Sequence, residues 1–414
     1  MTATADELVV SPRSRLDPRT WTWWGQVLAV FAASRLFTTG VFLWVAGFQE
    51  KNVWTDAHPS YFPWVGFMFD GSWYRRIAEH GYPSQLPVGA DGQVLQNEWA
   101  FFPLFPTLAR AAMTVTGLPW EVAAPLLSTA LAALAMLLVH RCIAEGAPRA
   151  VAAWPGLPLA TVALVCVFPT SPVLQTAYTE SLALLLVAGA LLAIVRRRYG
   201  WAAVAILGLG LTRAVALPMA VVAAVHAAVR WVAARRGDDD LDGGTLAKLA
   251  GLTVLAVASG FLWPAIAAVA TGDWTAYTQT QEAWRGVASV TPFYGWTYVP
   301  QFWFGDAWPL VVVPGVAFTV AVLVAPSAFR LGRELHAWAA AYVLYIAAVV
   351  EPGSSMARFL ILAFPLGAAT AGAVGRSRRS RAVWLAAVVL LMLGLQVLWV
   401  RQIWLFNPTG DWPP

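Results

Sequence analysis

The chain has 414 residues and a formal net charge of +5; 59% of its residues are hydrophobic and only 12% are charged. A soluble globular protein carries about 25% charged residues. This composition, with long apolar runs and a mean hydropathy of +0.63, therefore excludes an ordinary soluble protein and indicates an integral membrane protein. The arginines cluster beside the apolar runs, as membrane orientation requires, so the positive charge does not imply nucleic-acid binding. Cys142 and Cys166 lie in or beside apolar segments and form neither a disulfide framework nor a metal site.

The order of apolar runs predicts an all-α polytopic membrane protein. Residues 1–20 form a polar tail, and residues 21–404 form a single transmembrane domain of about eleven spans of the ~20-residue class. Residues 101–117 are also apolar but contain Arg110, so they are interpreted as an interfacial or re-entrant piece. The run at 200–213 is short, and a broken or shared helix is expected there. The runs lie near 21–47, 121–142, 151–168, 178–195, 200–213, 215–234, 246–270, 307–325, 335–350, 357–374 and 382–403.

The arginine clusters predict the orientation. With a cytoplasmic N-terminus and alternating spans, the clusters all fall on the cytoplasmic side. The outer side then carries the long loops 48–120 and 271–306, which are rich in aromatic residues and proline, and the tail 405–414. The functional face is therefore expected outside, and the acidic run Asp238–Asp242 is interpreted as a solvated cytoplasmic turn. The clusters are Arg141, Arg196–Arg198, Arg235–Arg236, Arg330 with Arg333, and the Arg376–Arg381 group.

The most informative stretch follows the first apolar run and begins at Asp70. Trp73, Tyr74 and Ile77 recur at helical spacing, which predicts an amphipathic helix with an aromatic face. Gly81 is placed to end this helix. Asp70 is expected just before the helix, where its carboxylate either accepts from the first backbone N–H groups or acts in catalysis.

Further charged residues near the outer face or inside spans are candidate binding groups. Glu98 is either a solvated loop acid or a functional group, and Glu180 opens a span, where an acid needs a partner or water. Arg213 and Arg358 either snorkel to the headgroups or hold a lipid-linked phosphate in bidentate fashion. Arg35 lies well inside the first span, where an unpaired charge costs at least ~2.5 kcal/mol. An ion pair or a phosphate contact is therefore predicted for Arg35.

Two weaker signals accompany these charges. Asp56 and His58 are too few ligands for a metal site, so no metal is predicted. Trp284, Trp296 and Trp303 are either interface anchors or the lining of a sugar-binding groove.

Several sequence blocks resemble the PIG-V family, which contains the second mannosyltransferase of GPI-anchor assembly and many bacterial relatives. Residues 69–82, Phe-Asp-Gly-Ser-Trp-Tyr-Arg-Arg-Ile-Ala-Glu-His-Gly-Tyr, resemble its Trp-Asp-x-x-(Trp/His)-Tyr…Ile-Ala…Gly-Tyr motif, with Phe69 where many relatives carry Trp. Further resembling blocks follow in chain order. They are Phe-Phe-Pro-Leu-Phe-Pro at 101–106, Ala-Tyr-Thr-Glu-Ser-Leu at 177–182, Leu-Thr-Arg at 211–213, and Ser-Met-Ala-Arg-Phe at 355–359 with Phe-Pro at 364–365.

The resemblance implies a GT-C glycosyltransferase fold, a helical bundle whose active site opens to the periplasm or lumen. Such enzymes use a lipid-phosphate sugar, usually polyprenyl- or dolichyl-phosphate mannose, and an acid in the first outer loop, here matched by Asp70, is the expected base. The resulting hypothesis is a bacterial plasma-membrane enzyme that transfers mannose with inversion from polyprenyl-phosphate mannose to a glycolipid or protein hydroxyl. No cofactor or metal is expected. Membrane lipids are expected partners, and nucleic acid is not.

The same hypothesis assigns roles to the remaining candidates. Arg358 and Arg213, with Arg35 third, would stabilise the phosphate leaving group. Glu98 and Glu180 would bind sugar hydroxyls or orient those arginines. The alternatives are another lipid-phosphate sugar, such as arabinose or glucose, a lipid-linked sugar flippase or transporter, and a non-catalytic scaffold. No inverted repeat of the kind common in transporters is visible in the sequence.

Overall fold

The computed structural model describes residues 20–286, 291–374 and 377–407. Most of both predicted tails, 1–20 and 405–414, therefore lies outside the described residues. Within the described ranges the chain is helical and has no β-strand beyond a single bridge between Val88 and Val94, which confirms the predicted all-α architecture. The α-helices are α1 (Trp23–Ala46), α2 (Tyr61–Phe67), α3 (Asp70–His80), α4 (Leu104–Thr116), α5 (Trp120–Gly146), α6 (Pro148–Ala153), α7 (Leu157–Cys166), α8 (Glu180–Val195), α9 (Tyr199–Gly210), α10 (Pro218–Arg235), α11 (Gly243–Thr271), α12 (Ala276–Arg285), α13 (Val299–Phe304), α14 (Trp308–Val324), α15 (Pro326–Phe329), α16 (Arg333–Val349), α17 (Ser354–Phe359), α18 (Pro365–Ala371) and α19 (Arg378–Trp399).

Each predicted apolar run contains a helix, but the helices differ in length. Helices α7, α8 and α9 are apolar yet only 10, 16 and 12 residues long, so alone they fall short of a ~30 Å hydrocarbon core. Helices α17 and α18 belong to one apolar segment that is bent by 83°, where Pro365 opens the second helix and cannot donate to the first. The count of about eleven spans stays a prediction. Five stretches are long and apolar enough to cross a membrane: Trp23–Ala46, Trp120–Gly146, Gly243–Thr271, Val299–Phe329 and Arg378–Trp404.

The expected break in the 200–213 run separates α9 from α10. Helix α9 ends at Gly210, and Pro218 is the first residue of α10. Gly210 lies so close to α11 that a Cβ there would be 2.5 Å from the carbonyl oxygen of Ser259. The turn between the two helices places Arg213 beside the start of α8.

Helix α8 forms the centre of the bundle. After Glu180 and Ser181 its residues are apolar on all sides, and most are buried, as expected for a helix surrounded by other helices. Helix α5 packs along it, and Ser128 of α5 donates a hydrogen bond to the carbonyl of Tyr178 just before α8 begins. The first residue of α8, Glu180, is therefore held inside the protein.

Residues 101–117 do not form a span. They contain α4, a 13-residue helix whose buried residues Phe105, Pro106 and Ala109 lie on one side, and which packs on α3 and α5. This amphipathic helix agrees with the interfacial interpretation. The long segment 48–120 thus carries two amphipathic helices, α3 and α4, as predicted.

The acidic run Asp238–Asp242 is not simply a solvated turn. Arg197 and Arg230 each donate two hydrogen bonds to the carboxylate of Asp239, whose side chain is only 6% exposed. The hydrogen bonds from Arg230 lower the pKa of Asp239 below its ordinary value. The run therefore ties the segment between α10 and α11 to the end of α8, which the charge pattern alone did not predict.

Candidate active site

Asp70 is the first residue of α3 and does not cap the helix. Phe69 occupies the N-cap position, and no side chain accepts a hydrogen bond there. The capping interpretation of Asp70 is therefore wrong, and the carboxylate instead contacts Arg358. Phe69 has φ 50° and ψ −119°, a conformation that residues other than glycine rarely adopt. The chain thus turns sharply directly before Asp70.

The predicted aromatic face of α3 is buried. Tyr74 and Ile77 are each 6% exposed, and the ring of Trp73 stacks on that of Phe101 at a centroid distance of 5.7 Å. Gly81 ends the helix with φ 79°, in the region that favours glycine. This packing fixes the position of the helix and of its first residue.

Four of the predicted site residues meet in one ion-pair network. Nη1 of Arg358 donates to Oδ2 of Asp70 at 2.6 Å, and Nε of Arg358 lies 3.1 Å from Oε1 of Glu180. Nη1 of Arg213 donates to the same Oε1 at 2.6 Å. The four side chains come from α3, α17, α8 and the turn after α9, so only the folded chain brings them together.

The network is mostly shielded from solvent. The exposed fractions of the side chains are 1% for Glu180, 6% for Arg358, 12% for Arg213 and 19% for Asp70. Two carboxylates balance two guanidinium groups, as buried charges require. Asp70 is the most accessible member, and no donor contacts its Oδ1 in the part of the chain that the structure describes. That oxygen can accept a proton from a bound molecule.

Both arginines keep unused hydrogen-bond donors. Among the described residues, Arg213 donates only through Nη1, to Glu180 and to Oγ1 of Thr179. Arg358 donates only through Nη1, because its Nε is near Glu180 but forms no aligned hydrogen bond with any described residue. Oε2 of Glu180 is likewise buried without a hydrogen-bond partner among the described residues. Unused N–H groups on two adjacent guanidinium groups suit an anion such as a phosphate.

Two aromatic residues that were not among the predicted site residues complete the surroundings. The guanidinium carbon of Arg213 lies 4.1 Å from the ring centroid of Phe359, and that of Arg358 lies 4.9 Å from the ring centroid of Tyr178. The Tyr178 hydroxyl also accepts a hydrogen bond from the backbone N–H of Asp70 at 3.3 Å. Phe359 directly follows Arg358, and Tyr178 lies two residues before Glu180, each within a sequence block that resembles the PIG-V family. That proximity is the signal that could have identified them.

Glu98 and Arg35 lie outside this network. Glu98 pairs with Arg76 at 2.8 Å, with its side chain 13% exposed. Arg35 donates to the backbone carbonyls of Ser171 and Cys166 at 2.7 and 2.8 Å and has no carboxylate partner among the described residues. The ion pair or phosphate contact predicted for Arg35 is therefore replaced by hydrogen bonds to the backbone.

The residues that gave the weaker sequence signals also contact other parts of the chain. Asp56 pairs with Lys51 at 3.3 Å, and the ring of His58 contacts the carbonyl of Gly47. Trp284 donates to the carbonyl of Asn97 and packs against the rings of Trp73 and Phe101. Within the described ranges no three His, Cys, Asp or Glu side chains gather as a metal site.

No family model and no curated protein matches the sequence. Three solved structures of an oligosaccharyltransferase from Archaeoglobus fulgidus are similar to it at 12, 14 and 13% identity, with TM-scores of 0.48, 0.48 and 0.46. They cover 91, 92 and 94% of this chain but only 55, 54 and 57% of their own chains, so this chain spans about half their length. The first is tethered to an acceptor peptide, the second contains Zn and sulfate, and the third contains an inhibitory peptide and a dolichol-phosphate.

Proposed function

We propose that the protein is a GT-C-type membrane glycosyltransferase that moves mannose, with inversion, from polyprenyl-phosphate mannose to an acceptor hydroxyl on the outer face of a bacterial plasma membrane. The observation that carries the proposal is the network of Asp70, Glu180, Arg213 and Arg358. Its members stand in the sequence blocks that resemble the PIG-V family, and they combine an accessible carboxylate with anion-binding guanidinium groups.

Asp70 is the proposed general base. The acceptor oxygen attacks C1 of the sugar, the bond from C1 to the phosphate oxygen breaks, and the acceptor proton passes to the carboxylate. Oδ1 suits this role because Oδ2 is already bound to Arg358. The contact with Arg358 and the hydrogen bond from the Asp70 amide to Tyr178 both fix the orientation of the carboxylate.

Arg358 and Arg213 are the proposed phosphate ligands. The leaving lipid phosphate gains negative charge as the glycosidic bond breaks, and preorganised cations in a shielded site stabilise that charge. Each arginine can bind the phosphate through N–H groups that the resting network leaves unused. Glu180 would then hold both guanidinium groups at the spacing that the phosphate needs.

The other two candidates receive different roles. Glu98 and its partner Arg76 lie near the aromatic face of α3, where the carboxylate could bind sugar hydroxyls. The original assignment of Arg35 to the phosphate is not retained, because its donors are used by backbone carbonyls. We assign Arg35 to support of the segment that precedes α8.

The proposed partners are the lipid-phosphate donor, a glycolipid or protein acceptor, and the surrounding membrane lipids. No cofactor is assigned, because two arginines can supply the positive charge that the leaving phosphate requires. Transfer is accordingly expected to continue in the presence of EDTA.

The experiment compares wild-type protein with Asp70→Asn in the transfer of mannose from synthetic polyprenyl-phosphate mannose, with and without EDTA. The variant keeps the shape of the side chain but loses the base, so the rate should fall by roughly two or more orders of magnitude. Asp56→Asn is the matched control, since Asp56 lies in the same loop with its side chain 89% exposed. Its rate should equal that of wild type.

The other outcomes separate the alternatives. Equal rates for wild type and Asp70→Asn would remove Asp70 as the base and make Glu98 the next candidate. Transfer only from lipid-phosphate arabinose or glucose would leave the proposed fold and reaction type in place and would replace mannose as the proposed sugar. Donor binding without transfer to any acceptor, together with donor movement across vesicles, would favour a flippase.

A further inference from the structure

A small cavity lined by both polar and apolar residues lies at the opposite end of the bundle from Asp70. Its volume is about 60 Å³, several times the roughly 10–15 Å³ that one water needs. Helix α7 begins at this cavity with Leu157 and ends at Cys166, next to the segment that leads to Glu180. The cavity is therefore separate from the candidate active site.

The polar groups around the cavity favour an anion. Ser327 is 8% exposed, and its Oγ is buried without a hydrogen-bond partner among the described residues. Arg330 and Arg381 also line the cavity, and no aspartate or glutamate does so within the described part of the chain. A buried hydroxyl without a partner is costly, so a group that accepts hydrogen bonds from Ser327 and both arginines would complete the site.

Arg381 is already held in position at the cavity. Its Nη2 donates to the carbonyl of Ala153 at 3.2 Å, and its guanidinium carbon lies 5.6 Å from the ring centroid of Trp154. Arg330, by contrast, forms no hydrogen bond or ion pair with any described residue, and it is exposed. One arginine is thus preorganised, and the other is available to close on a ligand.

An open apolar trough adjoins the cavity and shares Val374 with it. The trough runs along α19 past Val383, Trp384 and Ala387. Ser377, Arg379 and Ser380, at the start of the same helix, also line it. The Nε1 of Trp384 donates to the carbonyl of Thr370 at 2.8 Å, which fixes the ring that forms the wall. A cavity that contains a serine and two arginines, and that adjoins a largely apolar trough, matches a phosphate headgroup and its hydrocarbon chain.

We propose that this cavity, lined by Ser327, Arg330 and Arg381, binds the phosphate of an anionic phospholipid from the surrounding bilayer, with one acyl chain in the trough. A soluble phosphate would use the cavity but not the trough, so the lipid is the better fit. The cavity lies at the arginine-rich end of the bundle, where an anionic leaflet would supply such a lipid.

The test titrates purified protein in neutral detergent with dioctanoyl-phosphatidylglycerol and follows thermal unfolding by tryptophan fluorescence. Dioctanoylglycerol supplies the chains without the phosphate, and glycerol 3-phosphate supplies the phosphate without the chains. The variants are Arg330→Gln and Ser327→Ala. Arg333→Gln is the matched control, because Arg333 is an exposed arginine at the same end of the bundle but outside the cavity.

Saturable stabilisation by phosphatidylglycerol is expected for wild type and Arg333→Gln. Arg330→Gln should weaken the apparent affinity at least about tenfold, since it removes a charge-assisted hydrogen bond, and Ser327→Ala should weaken it less. Equal weakening by Arg330→Gln and Arg333→Gln would overturn the site in favour of diffuse surface charge. Equal binding of dioctanoylglycerol would exclude phosphate recognition, and equal affinity for glycerol 3-phosphate would exclude a lipid site.

Discussion

Arg35 donates hydrogen bonds to two backbone carbonyls that lie between the end of α7 and the start of α8. Its Nη1 donates to Ser171 and its Nη2 to Cys166, at 2.7 and 2.8 Å. The last carbonyls of a helix have no partner within the helix, and at Cys166 the guanidinium of Arg35 and Oγ of Ser171 both donate to that carbonyl. The segment that it holds leads directly to Tyr178 and Glu180 of the candidate site.

Replacing Arg35 by lysine should lower the stability of the protein without changing donor binding. A single ammonium cannot reach both carbonyls as the planar guanidinium does. The Cys166 carbonyl keeps its hydrogen bond from Oγ of Ser171, so the expected cost is the loss of a charge-assisted hydrogen bond, about 1.5–3 kcal/mol. The check measures the melting temperature and the KM for the lipid-phosphate sugar, with Arg75→Lys on the surface of α3 as the control. An unchanged melting temperature with a raised KM would restore the original assignment of Arg35 to the substrate.

The sequence was enough to single out Arg35 but not to find its partners. A charge deep within an apolar run must be compensated, and the sequence shows that directly. Backbone carbonyls carry no sequence signature, however, so hydrogen bonds to them cannot be read from residue types. The same limit explains why the contact between Asp70 and Arg358, whose sequence separation is 288 residues, required the fold.

At the scale of elements, the segment after α19 supports the turn that carries Asp70. Phe69 is 3% exposed, and its ring lies 5.0 Å from Trp54 and 5.7 Å from Trp404 between centroids. Trp404 ends a π-helical turn that follows α19, and Phe406, next in this segment, is tied to Gln49 by two hydrogen bonds. The aromatic packing therefore holds Phe69 in a backbone conformation that costs of order 1–3 kcal/mol on its own.

Trp404→Ala should reduce kcat by about tenfold or more while leaving the KM for the donor nearly unchanged. The substitution opens space beside Phe69, and a small displacement of a catalytic group can cost about 10²-fold. Rates are measured per folded protein after size-exclusion chromatography, because a Trp to Ala change also destabilises a core.

Two variants make this result specific. Trp404→Phe keeps an aromatic ring beside Phe69 and should recover most of the rate. Trp24→Ala removes a tryptophan that is 52% exposed in α1 and should have no effect on kcat. An unchanged rate per folded protein in all three variants would contradict a positioning role for Trp404.

Sequence patterns predicted α3 well and this supporting segment poorly. Aromatic residues at helical spacing and a terminal glycine indicate an amphipathic helix, and α3 matches both. The run at 382–403 was predicted as one apolar span, and nothing in its composition marks the change to a π-helical turn at Val400. Such turns arise from packing and from hydrogen-bond registers that are not encoded in hydrophobicity.

For the whole molecule, charged groups lie at both ends of α8, and the predicted orientation of those ends in the membrane stays a prediction. The candidate active site lies where α8 begins, and the ion pairs of Arg196 with Glu145 and of Arg197 with Asp239 lie where it ends. The number of spans was less accessible to sequence analysis, because α8 is short and enclosed by longer helices. An apolar run shows that a segment avoids water, but it does not distinguish a helix enclosed by other helices from a helix that faces lipid.

The predicted orientation places the end with Asp70 outside the cell. Cysteines introduced by Ser84→Cys in the first outer loop and by Asp238→Cys between α10 and α11 report on opposite ends, since both positions are exposed. The native residues Cys142 and Cys166 are 0% exposed and should not react with a membrane-impermeant maleimide, so wild type serves as the blank. Intact cells should label Ser84→Cys, and Asp238→Cys should be labelled only after the membrane is opened.

The reverse labelling pattern would place Asp70 and the arginines on the cytoplasmic side. A polyprenyl-phosphate sugar would then have to be used on the face where nucleotide sugars are also available, and the proposal of an outward-facing enzyme would fail even if Asp70 is the base. Labelling as expected would instead place the phosphate-binding arginines in the outer leaflet and the cavity at Arg330 in the inner one. The two proposed lipid-binding sites would then lie on opposite sides of one bilayer. Arg330→Gln should therefore weaken phospholipid binding without changing the rate of sugar transfer at Asp70.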